Sequence, residues 1–222
     1  MRFFRGIAVR PDQAAEIRQK ILGCGLGEGD GWWDMRLRRP PNRIALFSKD
    51  NLTTEDTRSD ELEELPFVCA CGEFNGAAYY ACSHNWSEQN NVPLIIEFDV
   101  DARSVALDGR DFLYRAFQGG RPEIARPVLV DCFGPNILQY VDRAWRSDDQ
   151  QFRIAMCDLA IQDPAVINDH YRNTRVIAGR HKTVFRNAFL IQLPVPASAI
   201  ISVRTDVTFE FPVIDYTLDD IG

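Results

Sequence analysis

The 222-residue chain has no long hydrophobic run. A membrane-spanning helix needs about 20 apolar residues, and uncharged stretches such as Val92 to Ile96 fall far short. The first residues, Met1-Arg2-Phe3-Phe4-Arg5, lack the apolar segment and small-residue cleavage site of a secretory signal. These absences predict a cytoplasmic protein with no membrane partner. Lysine and histidine are scarce, at three residues each, and the net charge is −7. Such a chain lacks the general pull on polyanions that comes from releasing their counterions. Missing as well are the G-x-S-x-G elbow, the Walker loop, the G-x-G-x-x-G fingerprint and the H-E-x-x-H helix. The common hydrolase, NTPase, dehydrogenase and zinc-protease chemistries therefore have no local signature.

What is present is ordinary globular material, 45% hydrophobic, 26% charged and 11% aromatic, in a chain long enough to fold without staples. We read residues 1–222 as one domain. Six cysteines, at positions 24, 69, 71, 82, 132 and 157, are an even number, but a core of this size needs no disulfide framework, which predicts thiols. The basic side chains are mostly arginine, and Arg36, Arg38, Arg39 and Arg43 cluster. Guanidinium forks suit phosphate or carboxylate, although a biased base composition of the genome produces the same enrichment.

Residues 2–9 read as a buried strand carrying Arg5 and Gly6. Pro11 and Asp12 open a helix with Ala14, Ile17, Ile21 and Leu22 on one face, and Gly23 and Gly25 end it. The glycine-rich loop to Gly31 precedes Trp32 and Trp33, which either line a pocket or anchor the loop on the core. It follows a helix, so no helix N-terminus helps it to bind phosphate. Residues 43–49 read as a strand, and 50–65 as an acidic, solvated crossing in which Arg58 is a salt-bridge partner or a substrate arginine. Residues 67–71 read as a strand, 76–86 as a helix with Ala77, Tyr80, Ala81 and His84 on one face, and 92–100 as the clearest strand, with 104–107 returning beside it. Helices are expected at 108–118, 136–145, 150–161 and 164–171, and strands at 174–178, 183–193, 199–205 and 207–216. Strands, a helical block over about 108–172, then strands again, without βαβ alternation, give an α+β fold.

The densest chemistry lies between Phe67 and Asp101. Cys69-x-Cys71 and Cys82-x-His84 together supply a Cys3His set of the kind structural zinc prefers. Their one-residue spacings are unlike a zinc knuckle, and on a helix Cys82 and His84 diverge by about 200°. A cysteine nucleophile with His84 or His170 as base has no supporting motif, and buried thiols acting as small core residues account for the same positions.

Phe4-Arg5-Gly6 in a first strand, a helix and the Gly25-Leu26 break resemble the opening of mono-ADP-ribosyltransferases. Gly76-Ala-Ala-Tyr-Tyr-Ala, a short helix and the strand from Val92 to Asp101 resemble the part of that fold carrying an aromatic beside nicotinamide. Leu193-Pro-Val-Pro-Ala-Ser-Ala-Ile-Ile-Ser-Val resembles its proline turn into a late strand. The resemblance implies a split β-sheet core with a central helical insertion, NAD+ as co-substrate, and transfer of ADP-ribose to a nucleic acid base or a protein side chain. Simple NAD+ hydrolysis is a variant of the same chemistry. The alternative is a non-enzymatic nucleotide-binding or zinc-binding module.

NAD+ carries two phosphates and a cationic leaving group, so its site needs an arginine, an aromatic surface and a carboxylate near the ribose. By resemblance Arg5 takes the phosphates, with Gly6 permitting close approach, and Tyr79 or Tyr80 takes the ring, Tyr80 counted with the catalytic residues. Ser48 stands for the family's serine, and Asn85 joins the cofactor-binding residues. Trp33, Arg58 and His84 are assigned to the acceptor. The family's acid is missing from its expected place, where Arg186 and Asn187 stand. Glu210 is the late-strand candidate and Glu73 the next.

Overall fold

A computed structural model describes residues 1–30, 35–39, 63–119, 121–179 and 183–222. Its centre is an antiparallel sheet. Strand β1 (Arg2–Val9) pairs along its whole length with β4 (Val92–Asp99), in a register that sets Phe3 opposite Phe98 and Gly6 opposite Ile95. β9 (Ile200–Arg204) pairs with the other edge of β4, and β4 is buried on both faces, between the main core and residues 77–81, which explains its nearly unbroken apolar sequence. On the far side, β3 (Glu63–Cys71) pairs with β8 (Ala188–Gln192), and β8 with β5 (Val105–Leu107). The resulting order is β5-β8-β3-β1-β4-β9, with β2 (Met35–Arg39) alongside the first half of β3.

The sheet opens at its middle. β1 meets β3 at a single register pair, Phe4 with Cys71, while every residue of β1 has a partner on β4. Between β3 and β4 the chain forms helix α2 (Phe74–Tyr79), which runs on as a wider π turn over Tyr80–His84. The closing hydrogen bond of that turn runs from the Asn85 N–H to the Tyr80 carbonyl at 2.8 Å, five residues back.

Alternation along β1 and β4 separates two apolar regions. Phe3, Ile7, Val9, Leu94, Ile96 and Phe98 face the main core. Against them pack α1 (Ala14–Cys24) and the helical block α3 (Arg110–Gly119), α4 (Pro122–Phe133), α5 (Leu138–Trp145), α6 (Gln150–Ala160) and α7 (Pro164–Tyr171). The opposite face is covered by α2, through Ala77, Ala78 and Ala81 against Cys71 and Ile95. None of the described helices is long and apolar enough to cross a membrane.

The α+β reading matches this mixed architecture, with local departures. β2 occupies part of the arginine cluster, and the strand end Glu63–Leu65 belongs to what reads as a solvated crossing. The four expected central helices are joined by α4, hidden in the sequence by Pro122 and Pro127. Pro122 sits at the helix start, where its missing N–H costs nothing. The long strand expected over 183–193 is broken into β7 (Val184–Phe185) and β8 by Asn187, at φ 53°, a left-handed conformation that asparagine tolerates. That over 174–178 shrinks to β6 (Ile177–Ala178). Residues 207–216 form no strand but a strap whose one element of pairing is an isolated bridge from Tyr216 to Ile177. Asn75 holds it, donating from Nδ2 to the Glu210 carbonyl at 3.0 Å and accepting the Glu210 N–H at Oδ1 at 2.9 Å. The alternating Phe209 and Phe211 pack on Tyr79 instead of pairing in a sheet. The strand expected at 43–49 lies outside the described residues.

Candidate functional site

The opening between β1 and β3 forms a cleft of about 240 Å³. Phe4, Arg5 and Gly6 line it from β1, and Cys69, Ala70 and Cys71 from β3. Tyr80, His84 and Asn85 close it from the π turn and the residue after it, and Asp108, Thr183 and Ala188 from the β8 side.

Arg5 bridges the opening: its Nη1 donates to the Cys69 carbonyl at 2.8 Å. One cation thus ties together two strands that share almost no ladder. Gly6, which lines the cleft, also makes room for a helix. A Cβ there would lie 1.8 Å from the Ala77 carbonyl oxygen and 3.0 Å from the Ala81 nitrogen, so the missing side chain is the space in which α2 sits. The π turn then sets Tyr80 and His84 side by side, ring centroids 5.0 Å apart. Asn85 joins this wall to β1, its Nδ2 donating to the Gly6 carbonyl at 3.2 Å while its Oδ1 lies 3.1 Å from His84 Nδ1.

The two tyrosines part company. Tyr80 lines the cleft, whereas Tyr79 packs edge-on against Phe209 and Phe211 of the strap, at 6.0 and 6.3 Å. Burial, and then the negative charge that Cys71 and Asp108 can carry, raises the Tyr80 hydroxyl above its ordinary value, so it stays a neutral hydrogen-bonding group. The Cys71 thiol is pushed up to about 12 by burial, with Glu73 and Asp108 adding to the rise and Arg5 opposing it. A thiol in that state is no nucleophile at neutral pH.

The carboxylates sort differently from the sequence expectation. Glu210 is exposed on the strap and is not among the residues lining the cleft. Glu73 is ion-paired with Arg186 at 3.1 Å, and burial raises its carboxyl against that pairing. Asp108, at the end of β5, lines the cleft. Sequence reasoning placed it only at the start of a helix; its charge reaches the site through the β5–β8 pairing, which no local pattern reveals. Trp33, Arg58 and Ser48 lie outside the described residues.

The zinc set is not assembled. Among the described residues no group of three or more His, Cys, Asp or Glu side chains is placed to hold a metal ion, and no disulfide links the six cysteines. Cys69, Cys71 and His84 line the cleft, but Cys82 is not among its lining residues. No family model, curated protein or solved structure matches this chain.

Proposed function

We propose that the cleft binds NAD+ and that the protein is an ADP-ribosyltransferase with an ADP-ribosyltransferase-like split-sheet core. The observation that carries this reading is the convergence at the split of Arg5, Gly6, Tyr80, His84 and Asn85, from two separate segments of the chain, of which Arg5, Gly6 and Tyr80 lie in the motifs that carry the resemblance. The volume of about 240 Å³ is below the roughly 300–1000 Å³ of a site that encloses a whole drug-sized ligand. It suits the nicotinamide and its ribose, with the pyrophosphate at the mouth. Tyr80 offers a ring face to nicotinamide, Arg5 a guanidinium to phosphate, and Asn85 an amide to either. With a net charge of −7 the protein has little non-specific hold on nucleic acid, so a protein side chain is the acceptor to test first.

Incubating the full chain with NAD+ should release free nicotinamide and, with an acceptor extract, label protein with ADP-ribose. Arg5→Ala should weaken NAD+ binding by roughly 1.5–3 kcal/mol, the usual worth of hydrogen bonds to a charged group. Binding without nicotinamide release would identify a nucleotide-binding module in place of an enzyme. Absence of both would end the NAD+ reading.

A further inference from the structure

Breaking the bond between nicotinamide and ribose leaves positive charge on the ribose carbon, and a site that accelerates this step sets a carboxylate beside it. Resting on the NAD+ reading above, we propose that this carboxylate is Asp108 and that neither Glu210 nor Glu73 supplies it. Of the cleft-lining residues described, Asp108 alone carries a carboxylate. It belongs to the β5–β8 side and shares the cleft with Tyr80 and His84.

The backbone fixes Asp108 firmly. Its N–H donates to the Ala188 carbonyl at 3.1 Å, and β5 pairs Leu107 with Phe189 immediately before it. Gly109 follows and then the ten-residue helix α3, whose positive N-terminal end favours an ionised carboxylate. The charge is felt across the cleft: Asp108 raises both the Tyr80 hydroxyl and the Cys71 thiol, while Arg5 lowers the latter. A cation and an anion therefore act on the same volume from different strands, as a substrate with anionic phosphates and a developing carbocation requires. Neither Glu210 nor Glu73 is among the residues that line the cleft.

The step balances without any redox partner. The bond from the ribose carbon to the nicotinamide nitrogen breaks, and its electron pair leaves with nicotinamide, which becomes neutral. A lone pair of the acceptor, or of water, forms the new bond to that carbon, and the acceptor's proton passes to solvent. Asp108 remains ionised throughout and stabilises the cationic carbon without bonding to it.

The test compares nicotinamide release, NAD+ affinity and melting temperature for the full chain and its variants. Asp108→Asn should lower release by on the order of 100-fold or more with NAD+ affinity and melting temperature close to wild type. Asp108→Glu, which keeps the charge on a longer arm, should retain more release than Asp108→Asn. An active wild type with an equally active Asp108→Asn variant overturns the assignment alone, and a loss of release confined to Glu210→Gln or Glu73→Gln moves the role to that residue. If Asp108→Asn and Asp108→Glu both misfold or both lose NAD+ binding, Asp108 is a structural or binding residue and the assignment fails. A wild type that releases no nicotinamide overturns this inference and the enzymatic reading together.

Discussion

The two faces of the central sheet are built from different materials. On the helical side lie Phe3, Phe67, Phe98, Phe112, Phe117, Phe133 and Phe189, all fully buried. On the α2 side the buried residues are Cys71, Ala77, Ala78, Ala81 and Ile95. Large rings fill volume and bury much apolar surface each, whereas small residues let backbones come close but bury little. The first face holds the fold; the second sets one helix against a strand with no slack and leaves the cleft at its margin. Stability and binding geometry are thus largely separable by position.

The sharpest way to break this contrast is to empty the aromatic face. Phe189 packs against Phe3 at 5.1 Å and against His170 at 5.3 Å, and Phe189→Ala should cost about 3–5 kcal/mol, read as a lower denaturant midpoint in chemical unfolding. The loss should be nearly the same with or without NAD+ present. A cost below about 1 kcal/mol would mean that the large rings are not what holds the sheet to the helices.

Gly6→Ala attacks the other face. The added methyl meets the Ala77 carbonyl at 1.8 Å, a backbone atom that can move only by lifting α2. The expected cost is about 1–3 kcal/mol, as for an overpacked site, smaller than the ring deletion. It should also displace Tyr80, so NAD+ affinity falls by more than the stability loss alone would produce. Unchanged affinity in a folded Gly6→Ala protein would show that α2 does not set the cleft wall.

Alkaline pH sharpens the contrast through titration. The Cys71 and Cys132 thiols are each pushed from an ordinary value near 9 to about 12 by burial, one from each region. A raised folded value means that the folded state keeps its proton longer than the unfolded one. This stabilisation is complete below about pH 9 and is lost as pH rises toward 12. Stability should therefore fall by up to roughly 1.4 kcal/mol per pH unit for each such thiol. Cys71→Ala should flatten that slope; an unaltered slope would mean that the Cys71 thiol does not contribute to it.

How much of this was legible follows the range of the interactions. β1, β4 and α1 were readable because alternation and helical spacing are local and both faces of β4 are apolar. The cleft residues Arg5, Gly6, Tyr80, His84 and Asn85 were readable because they sit on two short contiguous motifs. Helix α4 was missed because Pro127 looks like a breaker, yet the helix continues through it. Residues 207–216 were misread because Phe209 and Phe211 alternate for a reason other than pairing: they meet Tyr79 over α2. Asp108 was invisible as a cleft residue since only the β5–β8 register, between segments some eighty residues apart, delivers it there.

The π turn after Tyr79 changes what each end of its element answers to. At Ala77 and Ala81 the backbone lies close over the sheet, where a Cβ at Gly6 would meet it at 1.8 and 3.0 Å. At the end of the widened turn and just after it, His84 and Asn85 are exposed, held to the element by the contact of His84 with Tyr80 and to the sheet by the hydrogen bond of Asn85 to the Gly6 carbonyl. One short stretch of chain therefore joins a closely packed anchor to an exposed rim. Substitutions at the exposed end should alter what the cleft admits at less cost to the fold than any at Gly6.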